Sequence, residues 1–434
     1  FPDNHLGKTY MKFPLSRSKR VCWNGHSSLQ MLVFGLAAAL WNPSWLSAAS
    51  FELSITPTQD CYGHLVVSAP LTEKSASVLS DGWYRDADLS PAGIGHVLVY
   101  GGHITFRTGT NWKATQKKIM KLDSVPEPES HLSWESRNGD LLLIEGKQTH
   151  FVYNEQMDEP PAKTSPLYRR SGYVHPLTSP AGFVLTDDFP VDHLHQHGLF
   201  TAWVNVNVAG KQVDFWNQAK GEGTIRHQKL IDQWSNPLAA GMHARLEHIQ
   251  TPTNEPEKSV LAEDWELISI PHPSLHVLEW RSTQQNLLEE PVVLNQNHYG
   301  GYAVRGPAHW LSDQNGQGCQ MQTNQTADRV QGNHTRATWV AMSGLAQPGS
   351  TAQAGVALIG HPENLRAPQP VRLHPSKPYF CFCPVVEEAI TLSSDDKLRA
   401  RFLVVTFDGT VPVEQLQELT TEFGATFLVD SNHL

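Results

Sequence analysis

The sequence reads as all-β: one large antiparallel β-sandwich with few short helices. Two observations predict this. Short segments rich in β-formers recur along most of the chain at intervals of about 8–12 residues, bounded by Gly, Pro, Asn or Asp. Helical periodicity, by contrast, is clear only near the C-terminus, where Leu416, Leu419 and Phe423 share one face after Pro412. The segments exceed a seven- to nine-stranded domain and show no blade-length repeat, which argues against a propeller.

In chain order, the first element is a leader. Lys12, Arg17, Lys19 and Arg20 precede the apolar stretch Met31–Leu40, and the small residues Ser47-Ala48-Ala49 follow. That layout is a secretory signal within an N-terminal extension of residues 1–49, leaving 50–434 as a single β-sandwich domain. Ten apolar residues are too few to span a bilayer, which takes about 20. The expected product is a periplasmic or secreted protein with no membrane span. Strands follow at Phe51–Thr56, His64–Ala69, His96–Tyr100, Ile104–Arg107 and Leu141–Glu145. Leu199–Gln218 reads as a hairpin turning at Ala209-Gly210-Lys211, with Ala202–Val208 as its alternating first arm. Further strands are expected at Ala244–Gln250, Trp265–Pro271, Ser274–Arg281, Pro291–Asn295, Ala337–Ser343, Ala354–Ile359 and Arg399–Phe407.

Charge narrows the function. The 434 residues carry a formal charge of −10, and loss of the basic leader moves it to −14. This balance excludes nucleic acid, whose phosphates demand a basic face. It also disfavours polyanionic glycans unless Arg and Lys gather locally. Cys61, Cys319, Cys381 and Cys383 remain in the mature chain, and buried free thiols suit them best.

Histidine is unusually abundant, at 22 residues, and the densest group falls between Ser171 and Trp203. It holds His175, Asp187, Asp188, Asp192, His193, His195 and His197. If Asp192–Gly198 is extended, His193, His195 and His197 project to one face. Three imidazoles there could bind a divalent transition metal. The same groups could instead do acid–base work, with a carboxylate orienting an imidazole. A second segment, Asn295–Trp310, places Tyr299, Arg305 and His309 around Gly300-Gly301, where the backbone can turn or approach a ligand. In a third, Gly355–His374, His361 ends a strand and could reach a cleft. No nucleotide-binding loop is present.

Three blocks carry a resemblance over about residues 150–410. The first runs from Arg170-Ser171-Gly172-Tyr173-Val174-His175-Pro176 through Ser179-Pro180-Ala181-Gly182 and Asp187-Asp188-Phe189-Pro190 to Asp192-His193-x-His195 and Gly198. The second is Tyr299-Gly300-Gly301 with Arg305. The third joins Gly355-Val356-Ala357, His361-Pro362-x-Asn364, Lys377-Pro378-Tyr379-Phe380 and Phe407-Asp408-Gly409. The chain resembles a family of soluble, mostly bacterial exported proteins, described as a domain of unknown function and often labelled "methane oxygenase PmoA". That family's pattern often reads His-x-His-His-Arg-Gly. Gln196 and His197 depart from it, so only His193, His195 and Gly198 carry over. The methane monooxygenase membrane subunit is a polytopic helical protein, whereas this chain reads as β throughout, so methane oxidation does not follow from the label. The pattern is similar in kind to galactose-mutarotase-like supersandwiches, which bind and transform sugars; this is an analogy of fold.

The leading expectation is therefore an exported carbohydrate-active or carbohydrate-binding protein acting on a small-molecule or glycan substrate. His193 and His195 would serve as acid–base groups, with Asp188 orienting one of them and His175 nearby. Tyr299, Arg305 and His361 would bind substrate, and Trp203 could offer a stacking face. The alternatives are a metal-dependent oxidoreductase using His193, His195 and His197, or a non-catalytic binding protein.

Overall fold

The computed structural model describes residues 51–86, 95–311 and 318–431. The expected leader at 1–49 lies outside them. Antiparallel pairing dominates. Helix among the described residues is confined to Glu73–Val78, Arg329–Gly332, Val413–Phe423 and a few single 3-10 turns. None of these helices is long and apolar enough to cross a membrane.

Two eight-stranded sheets form the sandwich. The longer runs in the order Gly223–Ser235, Ala240–Gln250, Lys258–Ile270, His276–Asn286, Lys397–Asp408, Gln353–Gly360, Trp339–Leu345 and Gln320–Thr323. The other, termed the site sheet below, runs Val371–Leu373, Tyr379–Phe382, Gly301–Arg305, Leu199–Ala202, Tyr173–Leu177, Gln148–Asn154, Asp140–Glu145 and Leu132–Arg137. Aromatic rings join them: Tyr302 meets Trp280 and Phe402, Phe382 meets Phe402, and Tyr153 meets Trp265. Side chains alternate along a strand, so each sheet has a second face to dispose of.

On the long sheet, Phe402 and Val404 point into the sandwich, while Leu403 and Val405 point away. The outward set packs with Trp339, Ile359 and the helix residues Leu416, Leu419 and Phe423, together with Leu65, Val66, Trp83 and Leu98. The latter four come from the N-terminal part of the chain, whose seven-stranded sheet (order Val66–Pro70, His103–Arg107, His96–Tyr100, Gly82–Asp86, Lys118–Val125, Phe51–Pro57, Phe427–Ser431) has a cluster of its own.

The expected hairpin divides between sheets. Leu199–Ala202 joins the site sheet, and Val206–Val208 pairs with Lys211–Val213 in a four-stranded sheet completed by Val292–Leu294 and Ile390–Leu392. The break at Trp203–Asn205 is where the strand changes sheets, which alternation alone does not reveal. The four cysteines are free and buried.

Candidate functional site

Register decides which side chains share the outer face of the site sheet, because residues directly opposite in an antiparallel pair project to the same side. Arg372 lies opposite Cys381, Cys381 opposite Ala303, and Ala303 opposite Phe200. Tyr379, two residues before Cys381, lies opposite Arg305. Val174 pairs with Leu199, which places Tyr173 and His175 on that same outer face. The segment 186–198 and the residues around Asp214–Lys220 cover it.

The segment Asp192–Gly198 is not extended; it is a run of turns leading into the strand Leu199–Ala202. His193, His195 and His197 consequently do not point one way, and among the described residues no three His, Cys, Asp or Glu side chains gather as a metal-ligand set. The expected triad of metal ligands is corrected on this point: period-two alternation needs a strand, and the turns remove it.

Each outer imidazole instead has its own setting. His197 is fully buried, and its Nδ1 lies 2.5 Å from Asp188 Oδ1. Asp188 Oδ2 accepts from the Tyr173 hydroxyl at 2.8 Å, and the same hydroxyl also meets Asp158. Burial raises the Asp188 carboxyl, but His197, His175 and Tyr173 outweigh it and hold it below its ordinary value. Burial and the neighbouring Asp188 charge push Asp158 the other way, upward. Asp188 thus orients an imidazole, as expected, but the imidazole is His197 and not His193 or His195. Phe189 has a φ of +47°, a strained region for a bulky residue, with its ring edge-on to His197 at 4.9 Å.

His193 is oriented by Asp192, with Nδ1 3.0 Å from Oδ2, and keeps 28% of its side chain exposed. Asp192 is itself anchored: Arg305 Nη2 donates to Oδ1 at 2.7 Å and Lys377 Nζ stands 3.3 Å from Oδ2. Burial alone would raise the Asp192 carboxyl, but Arg305, His193 and Lys377 hold it well below the carboxylate range. Arg305 is fully buried, and its Nη1 also donates to Gln196 Oε1 at 2.9 Å. It holds the loop rather than presenting itself to solvent.

His195 packs edge-on to His193 at 5.5 Å, and burial, then the charges of His193 and His197, lower its pKa to about 4. His374 stands 5.9 Å from the His193 ring. Its Nδ1 accepts from the backbone N–H groups of Ser376 and Lys377, at 3.2 and 3.0 Å. This fixes the neutral tautomer with its proton on Nε2, and burial keeps the pKa at about 4. The His193 and His374 rings therefore carry complementary nitrogens.

The other expected residues divide. His175 belongs to the face, with Nδ1 2.9 Å from Thr186 Oγ1 and a pKa lowered by burial. Tyr299 is half-buried at the rim, where its hydroxyl accepts from Asn217 Nδ2 at 3.0 Å; Asn217 is held in turn by Asp214. Gly300 and Gly301 have φ of +120° and +95°, and a Cβ on Gly301 would stand 2.5 Å from Phe382 O. Trp203 is only 2% exposed and donates from Nε1 to Gln284 Oε1. It is a core residue with no stacking face, because its ring packs inside the sandwich against Tyr302.

His361 is also elsewhere. Its Nε2 meets Arg401 Nη1 at 3.0 Å, its ring lies edge-on to Phe423, and burial lowers its pKa to about 3. It lines a small cavity of about 170 Å³ with Phe382, Gln369 and Thr420. None of its partners belongs to the His193 group. Sequence reasoning missed Asp192 as the orienting carboxylate, and assigned no role to His374 or Tyr173. The available signals were Asp192 directly preceding His193 and the block Lys377-Pro378-Tyr379-Phe380 beside His374.

No curated protein matches the sequence. Among solved structures, the chain is similar to a glycosyl hydrolase family 38 protein from Enterococcus faecalis, at 8% identity and a TM-score of 0.37, covering 88% of this chain and 48% of that one. It is similar also to an α-mannosidase from Enterococcus faecalis V583 (7% identity, TM-score 0.37, 88% and 46% covered). A third is the galactosidase domain of the α-galactosidase–sucrose kinase AgaSK (10% identity, TM-score 0.30, 64% and 42% covered). The chain thus spans less than half the length of each of these structures, and likenesses this distant do not speak to its chemistry. Residues 140–421, which contain every member of the outer-face site, match a family profile, and the chain belongs to that family: the family of unknown function DUF6807.

Proposed function

We propose that the protein is an exported carbohydrate-active protein that performs acid–base chemistry on a sugar bound against the outer face of the site sheet, with residues 50–434 acting as one domain. The observation that carries the reading is the Asp192–His193 pair. A carboxylate held by Arg305 and Lys377 fixes His193 with Nδ1 toward Asp192, leaving Nε2 for a substrate proton. His374 supplies an N–H donor opposite. Tyr299 and Asn217 offer a half-exposed ring and an amide at the rim, the mixture that sugar rings and hydroxyls use. In this reading Arg305 and Asp188 are positioning residues: the first acts through Asp192, the second through the enclosed His197.

The metal-dependent oxidoreductase implied by the methane oxygenase label would need His193, His195 and His197 as joint ligands. Among the described residues these three do not gather as such a set, since turns rather than one strand carry them.

The test is a screen of the purified protein against a broad panel of glycans, scored for both binding and conversion, followed by His193→Ala. Conversion of at least one glycan is expected, with turnover falling about 10²–10⁴-fold in the variant while binding persists. Failure to bind or convert any glycan, or unchanged turnover in the variant, overturns the proposal. Binding without conversion reduces the protein to a lectin-like role.

A further inference from the structure

Basic groups gather at the turn that carries His374, in a protein that is acidic overall. Arg372 sits in the strand Val371–Leu373, half-buried, on the same face as Tyr379 and Arg305. Among the described residues its guanidinium makes no hydrogen bond or ion pair. A strand Arg without a carboxylate leaves its guanidinium donors to water, free to pair with an anion brought to the face. Two residues further on, His374 continues the ladder through its backbone N–H to Tyr379 O at 3.0 Å and presents Nε2–H. Lys377 closes the same turn, with its side chain 31% exposed and its ammonium 3.3 Å from Asp192. Arg329 reaches this turn as well, with Nη1 3.4 Å from Pro375 O. The carboxylate at this turn, Asp192, is already shared by Arg305, Lys377 and His193, while Asp188 and Asp214 are taken by His197 and Lys220. Arg372 is left without one, beside His374.

We infer that the ligand is an acidic sugar, a uronate-type ring whose carboxylate is received by Arg372, Lys377 and the His374 Nε2–H. This rests on the reading of the site as a sugar site and adds the substrate's charge. A guanidinium and an imidazole N–H two residues apart on one strand face, with an ammonium at the following turn, offer convergent donors to a planar anion. A neutral hexose would leave the Arg372 guanidinium paired only with water. The net charge of the chain does not oppose this, since a local field set by nearby groups outweighs distant charges screened over about 8 Å at physiological salt.

Matched ligands test it without relying on a variant. Binding of methyl glucuronide and methyl galacturonide is measured by calorimetry against methyl glucoside and methyl galactoside, with acetate as a separate probe. At least one uronide is expected to bind about tenfold or more tighter than its neutral partner, an effect of the size expected for a charge-assisted pair. The preference should shrink as ionic strength rises from about 0.01 M to about 0.15 M. Arg372→Met should remove most of the preference and leave neutral-sugar affinity within about twofold, since Arg372 takes no part in the Asp192–His193 pair. Neutral sugars binding as well as uronides would overturn this inference while leaving the sugar site intact. So would acetate binding as tightly as the uronides. No binding by either class would remove the sugar reading itself, and this inference with it.

Discussion

At Gly198 the chain has no room for a side chain: a Cβ would stand 2.1 Å from Val174 O, 3.1 Å from Thr186 Cβ and 3.2 Å from His175 Cβ. The glycine lets the strand carrying Phe200 approach the strand carrying Tyr173, and so sets how closely His197 and His175 pack. The nearest atom is backbone and cannot rotate away. Gly198→Ala is therefore expected to cost about 3 kcal/mol in urea unfolding. A loss below about 0.5 kcal/mol would show that the two strands are not held at this spacing. Gly198 was legible in the sequence as the end of the Asp192–Gly198 block. Its reason was not, because the clash is with a carbonyl 24 positions earlier. Asp188 makes the same point. Its presence in an acid–base cluster could be read from its neighbours, but its choice of His197 depends on how the turns at 191–198 fold back.

At the scale of elements, the helix Val413–Phe423 followed from its periodicity, and Leu416 and Leu419 are fully buried as expected. The sequence did not reveal what the helix ties together. Glu422, in its last turn, accepts the backbone N–H groups of Tyr62, His64 and Leu65 at 3.0, 3.3 and 3.0 Å, and also meets the Thr108 hydroxyl. Four residues earlier, Glu418 Oε2 meets His64 Nε2 at 2.8 Å. One face of the helix therefore covers the long sheet while its end pins the N-terminal part of the chain. Glu422→Ala would strand those donors, and the expected loss is about 3 kcal/mol. Hydrogen exchange of the Tyr62, His64 and Leu65 amides should quicken beyond the rest of the seven-stranded sheet. Unchanged exchange there would refute the docking role.

Across the whole molecule, several buried and half-buried imidazoles act together. His150, His195, His272, His276 and His374 are each held at about 4, in every case chiefly by burial. The unfolded chain takes up these protons near pH 6.5, whereas the folded protein resists until about pH 4. Their contribution to stability is thus complete above pH 6.5 and is lost as pH falls toward 4. Unfolding free energy is expected to drop by at least ~2 kcal/mol between pH 7 and about 4.5, roughly the share of one such histidine. A flat stability profile over that interval would show that these rings are not buried neutral. His150 and His276, stacked at 3.7 Å, stand on the site sheet and the long sheet respectively, so the effect is shared between the two halves of the sandwich.

Composition and spacing by themselves determined that this is a β-protein with one late helix, and that its histidines and carboxylates are densest between Ser171 and Gly198. Alternation and turn residues are local properties, written within a few positions of one another. Tertiary structure alone decided which carboxylate serves which imidazole, that Trp203 faces the core, that His361 stands apart, and that Arg372 and His374 join a face begun some 200 residues earlier. Those outcomes depend on contacts between residues far apart in the chain: the fold of the turns at 186–198, and for Arg372 the strand register, where a slip of one residue would send its side chain to the other side.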